Sequence, residues 1–405
     1  MIHGKARRVL LVLGHSARTV AAVAVVGALA LLGCSKNSQG TGATSSNATH
    51  NSTEATQRSS TSVDSSTSTT STTEARGPLG SGQTVTIAFA GDSSFQGLDG
   101  ALATDPSSVL KAIAPVLSSA DLTMVNLEAA VGSGGTPQNK TFTFATPPSA
   151  LEALAAAGVD VVTMANNHGM DYGPDRFTTS LSLRTTGAIP IVGIGSNASE
   201  AYQPHVVEVK GQQIALFGAN DVFDANLVSK WTATDSQPGI ASTKDSHEQQ
   251  LLDAVRTTRP EVDTLVVFLH YGRETQTCPN SRQVELAKAL FAAGADIVVG
   301  SHAHRLQGVG FIGEKLVAYG LGNFIFHPGS AVGRETGVLR VSVTGSRVDS
   351  FEWVPARINN GVPVPLTGTQ ADAEQTKMKN LAGCAGVNAE PENSEVTTSS
   401  TKGAS

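Results

Sequence analysis

The clearest chemical signal in the chain is a pair of histidines separated by one position, His302 and His304. They follow the apolar run Ile297–Val299 through Gly300. In an extended segment, residues two positions apart point to the same side. Both imidazoles could then bind one metal ion or serve two adjacent ions. Because histidine is a common metal ligand near neutral pH, this pair predicts a metal site rather than two core histidines.

A second polar group follows the apolar run Val159–Met164. Amide, imidazole and carboxylate side chains lie there within six positions, which a purely structural loop rarely needs. Gly169 and Gly173 give this loop conformational freedom. The pattern favours a functional loop. Its polar members are Asn166, Asn167, His168, Asp171 and Tyr172.

Three further apolar runs end in residues that could bind a metal or a substrate. They are Asp92 after Val85–Ala90, Asn126 and Glu128 after Leu122–Val125, and His270, Arg273 and Glu274 after Leu265–Leu269. Taken singly, the aspartate also fits an ordinary turn, the Asn–Glu pair a solvated strand end, and the histidine a structural role. Loops after buried strands are where α/β proteins place their sites, so the shared position favours one common site.

Together these residues make a mixed oxygen and nitrogen donor set, which suits Zn, Mn or Fe better than Ca. No cysteine belongs to the set, so a Cys-rich structural zinc site is not expected. Such a set could hold one or two divalent ions, and a pair about 3.5–4 Å apart generates hydroxide for a displacement reaction. The expected members are Asp92, Glu128, Asn167, His168, His270, His302 and His304.

The elements that must position these residues alternate between strands and helices. Strand-like runs, several of them continuously apolar as in strands buried on both faces, are Val85–Ala90, Leu122–Val125, Val159–Met164, Ile189–Ile194, Leu265–Leu269, Ile297–Val299 and Leu316–Tyr319. Helix-like segments are Pro106–Ser118, Ser149–Ala157 with a serine N-cap, Pro174–Thr186 and Arg282–Ala293. Two hairpins are expected over His205–Phe217 and Gly337–Val354. The fold class is therefore layered α/β.

The N-terminal region has the form of a secretory signal. Basic residues precede an apolar run over Thr19–Gly33 that is short for a membrane span. Cys34 follows, as in a bacterial lipobox whose thiol receives a lipid; an uncleaved anchor with an incidental cysteine is the alternative. We expect a signal peptide over 1–33, lipidation at Cys34 with a disordered Ser/Thr-rich tether over 34–83, a folded domain over 84–364, and a polar, partly disordered tail over 365–405.

Net charge limits the classes of partner that are expected, and the cysteine content raises the question of a disulfide bond. The net charge of −6 and pI of about 5.9 argue against a nucleic-acid partner. An anionic substrate would need a local positive centre. Cys278 and Cys384 could pair outside the cytoplasm or remain free thiols.

The order of motifs GD, NLE, NNHxxDYG, HYGxE, GSHAH and YGLGNFIF resembles the CapA family, named for poly-γ-glutamate capsule synthesis. The resemblance covers nearly all of 84–329. It implies a calcineurin-like metallophosphoesterase type of fold, a two-sheet β-sandwich flanked by helices. It also implies an anionic envelope polymer such as poly-γ-glutamate as a partner, together with membrane synthase subunits.

The resemblance also assigns roles. It implies metal ligation by Asp92, Glu128 as a bridging carboxylate, Asn167 through its amide oxygen, His270, His302 and His304. The implied catalytic residues are His168, which protonates the leaving group, and Asp171, which orients an imidazole. The implied substrate-contacting or supporting residues are Asn126, Asn166, Arg273, Glu274 and Asn323.

Three positions depart from phosphoesterases of this fold. Ser94 stands where a histidine is usual, Glu128 where the bridging residue is usually an aspartate, and Gly169 where an acidic residue is usual. A metal-dependent hydrolase acting outside the cell is the first hypothesis. A non-catalytic accessory subunit with a vestigial or structural metal site is the second, and a ligand-binding or wall-binding lipoprotein is the third.

Overall fold

A computed structural model describes residues 80–392. The predicted signal peptide, Cys34 and nearly all of the predicted tether lie outside the described residues. No helix within 80–392 is long and apolar enough to cross a membrane.

The strands, in chain order, are β1 Val85–Ser93, β2 Leu122–Leu127, β3 Ala130–Val131, β4 Ala145–Thr146, β5 Val161–Thr163, β6 Ile191–Val192, β7 Ile194–Gly195, β8 His205–Val209, β9 Gln212–Asn220, β10 Gly239–Ile240, β11 Thr264–Tyr271, β12 Ile297–His302, β13 Val309–Ile312, β14 Lys315–Ala318, β15 Asn323–Ile325, β16 Glu335–Thr344, β17 Arg347–Asn359 and β18 Val362–Pro365. The α-helices are α1 Asp99–Thr104, α2 Ala114–Leu117, α3 Ser149–Ala156, α4 Gly173–Thr186, α5 Ala198–Ala201, α6 Val228–Trp231, α7 His247–Thr258, α8 Ser281–Ala293 and α9 Gly368–Ala385.

Two large sheets form the centre of the domain. The first has the order β18-β17-β16-β1-β2-β5-β6, with β15 paired to the end of β1. The second has the order β13-β14-β12-β11-β9-β8. Strands β1, β2, β5 and β6 run parallel in the first sheet, and β9, β11, β12 and β14 run parallel in the second. Parallel neighbours place their carboxyl ends at one edge of each sheet.

The apolar residues divide into three layers. Phe89 and Met124 of the first sheet pack with Phe268 and Val299 of the second in a core between the sheets. The outer face of the first sheet is covered by α1–α4, and that of the second by α7 and α8. This arrangement confirms the predicted sandwich of two sheets flanked by helices. The continuously apolar sequence of β11 follows from burial on both faces.

Two predicted elements need correction. The segment Pro106–Ser118 is not one helix: a 3₁₀ turn over Pro106–Ser108 precedes the short α2. Pro115 explains the break, because proline has no N–H to donate and sterically disfavours the preceding helical turn. The predicted strand Ile189–Ile194 divides into β6 and β7, which belong to different sheets, and Gly193 at the junction has φ of +82°.

The predicted serine N-cap is also wrong, since Pro148 precedes the first residue of α3 and Ser149 makes no capping hydrogen bond. The predicted helix Arg282–Ala293 corresponds to α8, which begins one residue earlier, at Ser281, and ends at the predicted residue. The helix α8 begins with a capping box between Asn280 and Gln283 and is capped at its C-terminus by Gly294, whose φ is +118°. Both predicted hairpins are confirmed as β8–β9 and β16–β17.

The sequence gives little indication of α9, which occupies part of the predicted polar tail. Its buried Met378 joins the core between the sheets, and Ala385 joins the outer core beneath α7 and α8. Cys384 of this helix is disulfide-bonded to Cys278, which decides between the two alternatives left open by the sequence. The bond ties α9 to the loop that follows β11.

Candidate metal centre

The predicted site residues meet where the carboxyl ends of the parallel strands of both sheets come together. Asp92 lies near the end of β1, Glu128 directly follows β2, His270 lies near the end of β11, and His302 ends β12. All four side chains are buried. The strand-end position inferred from sequence is therefore what assembles the site.

Glu128 is the chemical centre of the cluster. It is fully buried, and neither carboxylate oxygen has a hydrogen-bond partner within the part of the chain that the structure describes. Its Oε1 lies 3.5 Å from His270 Nε2, 3.8 Å from His168 Nε2 and 3.9 Å from His304 Nε2. These distances are too long for hydrogen bonds. They suit ligand atoms around a common cation, which lie roughly 3–4 Å apart at metal–ligand distances near 2 Å.

Asp92 and His304 form a closely hydrogen-bonded pair. His304 Nδ1 lies 3.1 Å from Asp92 Oδ2 and 2.8 Å from Asn323 Oδ1. Asn323 in turn donates to the carbonyl of Gly333, 2.9 Å away. Because its Nδ1 is held in this way, His304 directs Nε2 toward Glu128. Asn323 therefore orients a ligand side chain, consistent with the supporting role implied for it.

The sequence predicted that the two histidines of the HxH motif lie in an extended segment, and the structure shows that they do not. His302 has φ of +84° and His304 φ of +51°, both in the left-handed region that non-glycine residues rarely adopt. Their ring centroids nevertheless lie 5.9 Å apart. Such backbone conformations cost about 1–3 kcal/mol each and cluster at functional sites. The backbone N–H of His302 lies 3.1 Å from Asp92 Oδ2, a hydrogen bond that helps to hold this turn.

Asn126 and Asn166 form a hydrogen-bonded scaffold behind the donors. Asn126 Nδ2 donates to Asp92 Oδ1 at 2.8 Å, and Asn166 Nδ2 donates to Asn126 Oδ1 at 2.9 Å. Asn166 Oδ1 accepts from the backbone N–H of His168 at 3.0 Å. Both asparagines are completely buried. They set the positions of neighbouring side chains and are enclosed away from any substrate.

Asn167 and His270 come together from different sheets. Asn167 Oδ1 lies 2.7 Å from His270 Nε2. The other nitrogen of the imidazole, Nδ1, lies 2.9 Å from Ser301 Oγ, a partner that the sequence analysis did not identify. Holding Nδ1 fixes the ring so that Nε2 faces the cluster, as is common for metal-binding histidines.

His168 is paired with Asp171 as expected. His168 Nδ1 lies 2.5 Å from Asp171 Oδ2, and the ring stacks on Phe144 with centroids 4.1 Å apart. Asp171 also accepts from the backbone N–H of Phe144 at 2.7 Å. Nδ1 is thereby oriented, which leaves Nε2 pointing at the cluster.

Burial and mutual charge shift the pKa values of the cluster in different directions. Burial, reinforced by the Asp92 charge, raises the pKa of Glu128 well above 4.5. Burial lowers the pKa of His302 to about 3 and that of His270 well below 6.5. Burial also acts to lower the pKa of His304, but the Glu128 and Asp92 carboxylates outweigh it and raise the value to about 10.

A cleft of about 530 Å³ opens beside the cluster. It is lined by Asn167, Val222, Phe223, Asp224, Gly272, Arg273, Glu274, Gln276 and His302. Arg273 is exposed, and its guanidinium has no hydrogen-bond or ion-pair partner among residues 80–392. It is the local positive centre that an anionic substrate would require in this acidic protein.

The donor set fits a divalent metal. Three overlapping groups have ligand atoms within 4.8 Å of one another: Glu128, His270 and His302; Asp92, Glu128 and His304; and Glu274, His302 and His304. Glu128 belongs to two groups, as a bridging carboxylate would. The buried Nδ1 of His302 and both oxygens of Glu128 lack partners in the described region, and a bound cation would satisfy them.

Glu274, for which a supporting role is implied, belongs to one donor group through its exposed carboxylate. Sequence reasoning also missed Lys140 and Phe144, which approach His168 and Asp171 from an irregular segment without a recognisable pattern. Their positions depend on tertiary packing, which residue spacing does not encode.

The fold and the cluster together define a two-sheet α/β sandwich with a histidine–carboxylate cluster, a candidate metal centre, at the strand ends. Residues 86–328 match the family model described as "Bacterial capsule synthesis protein PGA_cap", and the chain belongs to this family. This confirms the CapA resemblance.

Two curated relatives support the assignment. The chain is 29% identical to the capsule biosynthesis protein CapA of Bacillus anthracis over 264 residues, which cover 64% of this chain and 63% of that protein. It is 28% identical to the PGA biosynthesis protein CapA of Bacillus subtilis strain 168 over 262 residues, 64% of this chain and 67% of that protein. The match therefore spans slightly less than two thirds of the first relative.

Among solved structures, a putative 5′-nucleotidase from Staphylococcus aureus is similar over 74% of this chain and 58% of its own, with 14% identity and a TM-score of 0.43. A likeness at this level carries no information about activity.

Proposed function

We propose that the chain is a lipid-anchored, extracytoplasmic protein that acts in the synthesis, export or release of poly-γ-glutamate or a related envelope polymer. In this proposal it acts through a divalent-metal hydrolase site. The observation that carries it is the buried Glu128 carboxylate, which has no hydrogen-bond partner among residues 80–392 and lies among three imidazoles beside an open cleft. The names of the two CapA relatives support a capsule or poly-γ-glutamate polymer as the partner.

The residues around the cleft suit hydrolysis of a phosphoester or a γ-glutamyl linkage. A bound divalent metal would supply Lewis-acid polarisation of the phosphoryl or carbonyl oxygen. Asp171 holds His168 Nδ1, so that Nε2 faces the cluster and can transfer a proton to or from the reacting group. Phe144 stacks on the ring and restricts its rotation.

Arg273 gives the cleft its preference for an anionic substrate in this proposal. Its guanidinium can form a paired hydrogen bond with a carboxylate or a phosphate. Asp224 and Glu274 on the same walls disfavour a second anion nearby. For Arg273→Gln we expect a five- to tenfold rise in KM for an anionic polymer, with kcat largely retained. Arg256→Gln, on the exposed surface of α7, is the matched control.

Hydrolysis is tested with the full-length chain loaded with Zn²⁺, Mn²⁺ or Fe²⁺ and a panel of phosphodiesters and γ-glutamyl oligomers. His304→Ala should abolish turnover, whereas His247→Ala on α7 should leave it intact. Protein that retains none of these metals after loading, or equal turnover in both variants, would refute the proposal.

The lipid anchor rests on the sequence around Cys34. For Cys34→Ser we expect the protein to move from the membrane fraction to the soluble fraction. Full retention in the membrane by the variant would refute lipidation at this residue.

One observation favours a second candidate, an accessory subunit of a membrane synthase whose metal site is structural. Ser94, where a histidine is usual in phosphoesterases of this fold, is completely buried, and its Oγ accepts the backbone N–H of Gln96 at 3.4 Å. It therefore serves a local turn. In this case removing metal should lower thermal stability while polymer output stays unchanged, whereas His304→Ala blocking polymer release in intact complexes would contradict it.

A further inference from the structure

Lys140 is a buried cation in contact with the candidate metal centre. Only 4% of its side chain is exposed. Its Nζ lies 2.7 Å from Asp171 Oδ1 and also donates a hydrogen bond to the backbone carbonyl of Asn167. The ammonium lies 5.0 Å from the ring centroid of Trp231. One side chain thus holds two points of the loop that carries His168.

The surroundings of Lys140 are built to keep its charge in place. Burying an ammonium costs several kcal/mol unless it is paired and hydrogen-bonded. Here the nearest anion, Asp171, is itself completely buried. Asp224, on the wall of the cleft, lies 3.7 Å from Nζ. Charge-assisted hydrogen bonds of this kind are short and fix geometry.

The two contacts of Lys140 link two residues with different expected roles in the site. Asn167 presents its amide oxygen to His270 Nε2, at the position expected for a metal ligand. Asp171 orients His168. Because the same ammonium binds the main chain of the first residue and the side chain of the second, the position of the donor and that of the imidazole are mechanically coupled.

We propose that Lys140 is a positioning residue that clamps the loop 166–172 against the metal centre, so that Asn167 stays among the metal donors and His168 Nε2 faces Glu128. This proposal rests on one part of the proposed function, namely that the cluster binds a metal ion. Metal affinity is therefore the primary readout. An absence of hydrolysis by the wild-type protein would refute the hydrolase and leave this test intact.

The simpler alternative is that Lys140 only neutralises Asp171. The two readings differ in the double variant Lys140→Met/Asp171→Asn, which removes both charges. If neutralisation is the whole role, the double variant recovers the metal affinity of Asp171→Asn alone. If Lys140 clamps the loop, affinity stays below that of Asp171→Asn, because the carbonyl of Asn167 has lost its donor.

The experiment measures Zn²⁺ and Mn²⁺ binding to the full-length chain by titration calorimetry. For Lys140→Met we expect affinity 10- to 100-fold weaker than wild type, as when groups supporting metal ligands are removed. Lys244→Met is the control, since Lys244 pairs with the buried Asp221 at 3.5 Å and has no hydrogen bond or ion pair to a metal-centre residue among residues 80–392. It should bind metal as the wild type does.

Hydrogen exchange of the metal-free proteins gives a second readout, with amides of 166–172 exchanging faster in Lys140→Met than in Lys244→Met. If Lys140→Met does not fold, Lys140→Arg replaces it, because a planar guanidinium keeps the charge and cannot act as a compact donor between the two oxygens. At least a severalfold loss of affinity is then expected. Wild-type affinity in the folded variant, or recovery in the double variant, would overturn the proposal.

Discussion

Glu128→Gln should stabilise the metal-free protein relative to wild type and remove most of the stabilisation that a bound metal gives. The change keeps the shape of the side chain and removes a completely buried charge that has no hydrogen-bond partner among the described residues. In the metal-free state this charge opposes folding, because burial and Asp92 both disfavour it. In the metal-loaded state the same charge would serve as the donor shared by two of the three candidate ligand groups.

The sign follows from the raised pKa. Between 4.5 and the raised value, the folded wild type binds a proton that the unfolded chain has lost, so stability falls as pH rises. Each pH unit in that window costs about 1.4 kcal/mol. The glutamine variant does not pay this cost. At pH 8 without metal we expect it to be about 1–3 kcal/mol more stable than wild type.

These energies convert into measurable temperatures. Roughly 310 described residues imply an unfolding entropy of about 0.65 kcal/mol/K. The metal-free variant should therefore melt about 2–5 °C above the wild type. Metal at 100 times its Kd stabilises the wild type by about 2.7 kcal/mol, or about 4 °C, and should stabilise the variant far less.

Differential scanning calorimetry of the full-length protein at pH 8 and near pH 4.5, with chelator or with Mn²⁺, measures both effects. Near pH 4.5 the metal-free difference should shrink. Glu285→Gln, an exposed change on α8, is the control and should follow the wild type throughout. A metal-free variant less stable than wild type, or an equal metal response in both, would refute the reasoning.

Three further predictions concern pH, the disulfide and strand packing. Metal affinity should rise up to tenfold per pH unit from 7 toward 10, because His304, whose pKa is about 10, must lose its proton before it binds metal. In the metal-free protein this proton is stabilising, fully so below pH 6.5. Calorimetry in two buffers of different ionisation heat counts the protons released, and an unchanged pH slope in His304→Ala would contradict this prediction. Cys278→Ser should destabilise by about 4.7 kcal/mol, roughly 7 °C in Tm, because the bond closes a loop between residues 106 positions apart; an unchanged Tm under oxidising conditions would contradict it. Gly91→Ala should lower the free energy of unfolding by more than about 2 kcal/mol, since a Cβ there would lie 2.0 Å from the carbonyl oxygen of Gly322. Denaturant unfolding measures this loss, and Gly383→Ala in α9, where a Cβ meets open space, is the control. Equal unfolding midpoints for the two variants would contradict the prediction.

The sequence indicated the site because its residues stand at the ends of parallel strands. Asp92, Glu128, His270 and His302 each follow or end a buried apolar run, and the carboxyl ends of such strands meet. Periodicity and position in the chain are sufficient for that inference. The sandwich itself was inferred from family resemblance, since apolar runs alone do not reveal which strands share a sheet.

What the sequence did not reveal depends on contacts between distant segments. The positive φ values at His302 and His304 are imposed by hydrogen bonds to Asp92 and Asn323, which lie elsewhere in the chain. Lys140 lies in an irregular segment, and its role follows only from its distance to Asp171. The break in the predicted helix at Pro115, by contrast, is local and could be predicted from the sequence, because proline interrupts a helix.

The order of strands along the chain has a kinetic consequence. The second sheet consists of β8, β9 and β11–β14, which lie in the chain between the β6 and β15 strands of the first sheet. Val85 at the start of β1 pairs with Val343, and Asp92 pairs with Asn323. One edge of β1 therefore pairs only with β15 and β16, which lie in the last third of the domain. Pairings between strands so distant in sequence are slow to form. Asn323, which contacts His304, reaches Asp92 only through this distant pairing, so we expect metal uptake to report completed folding.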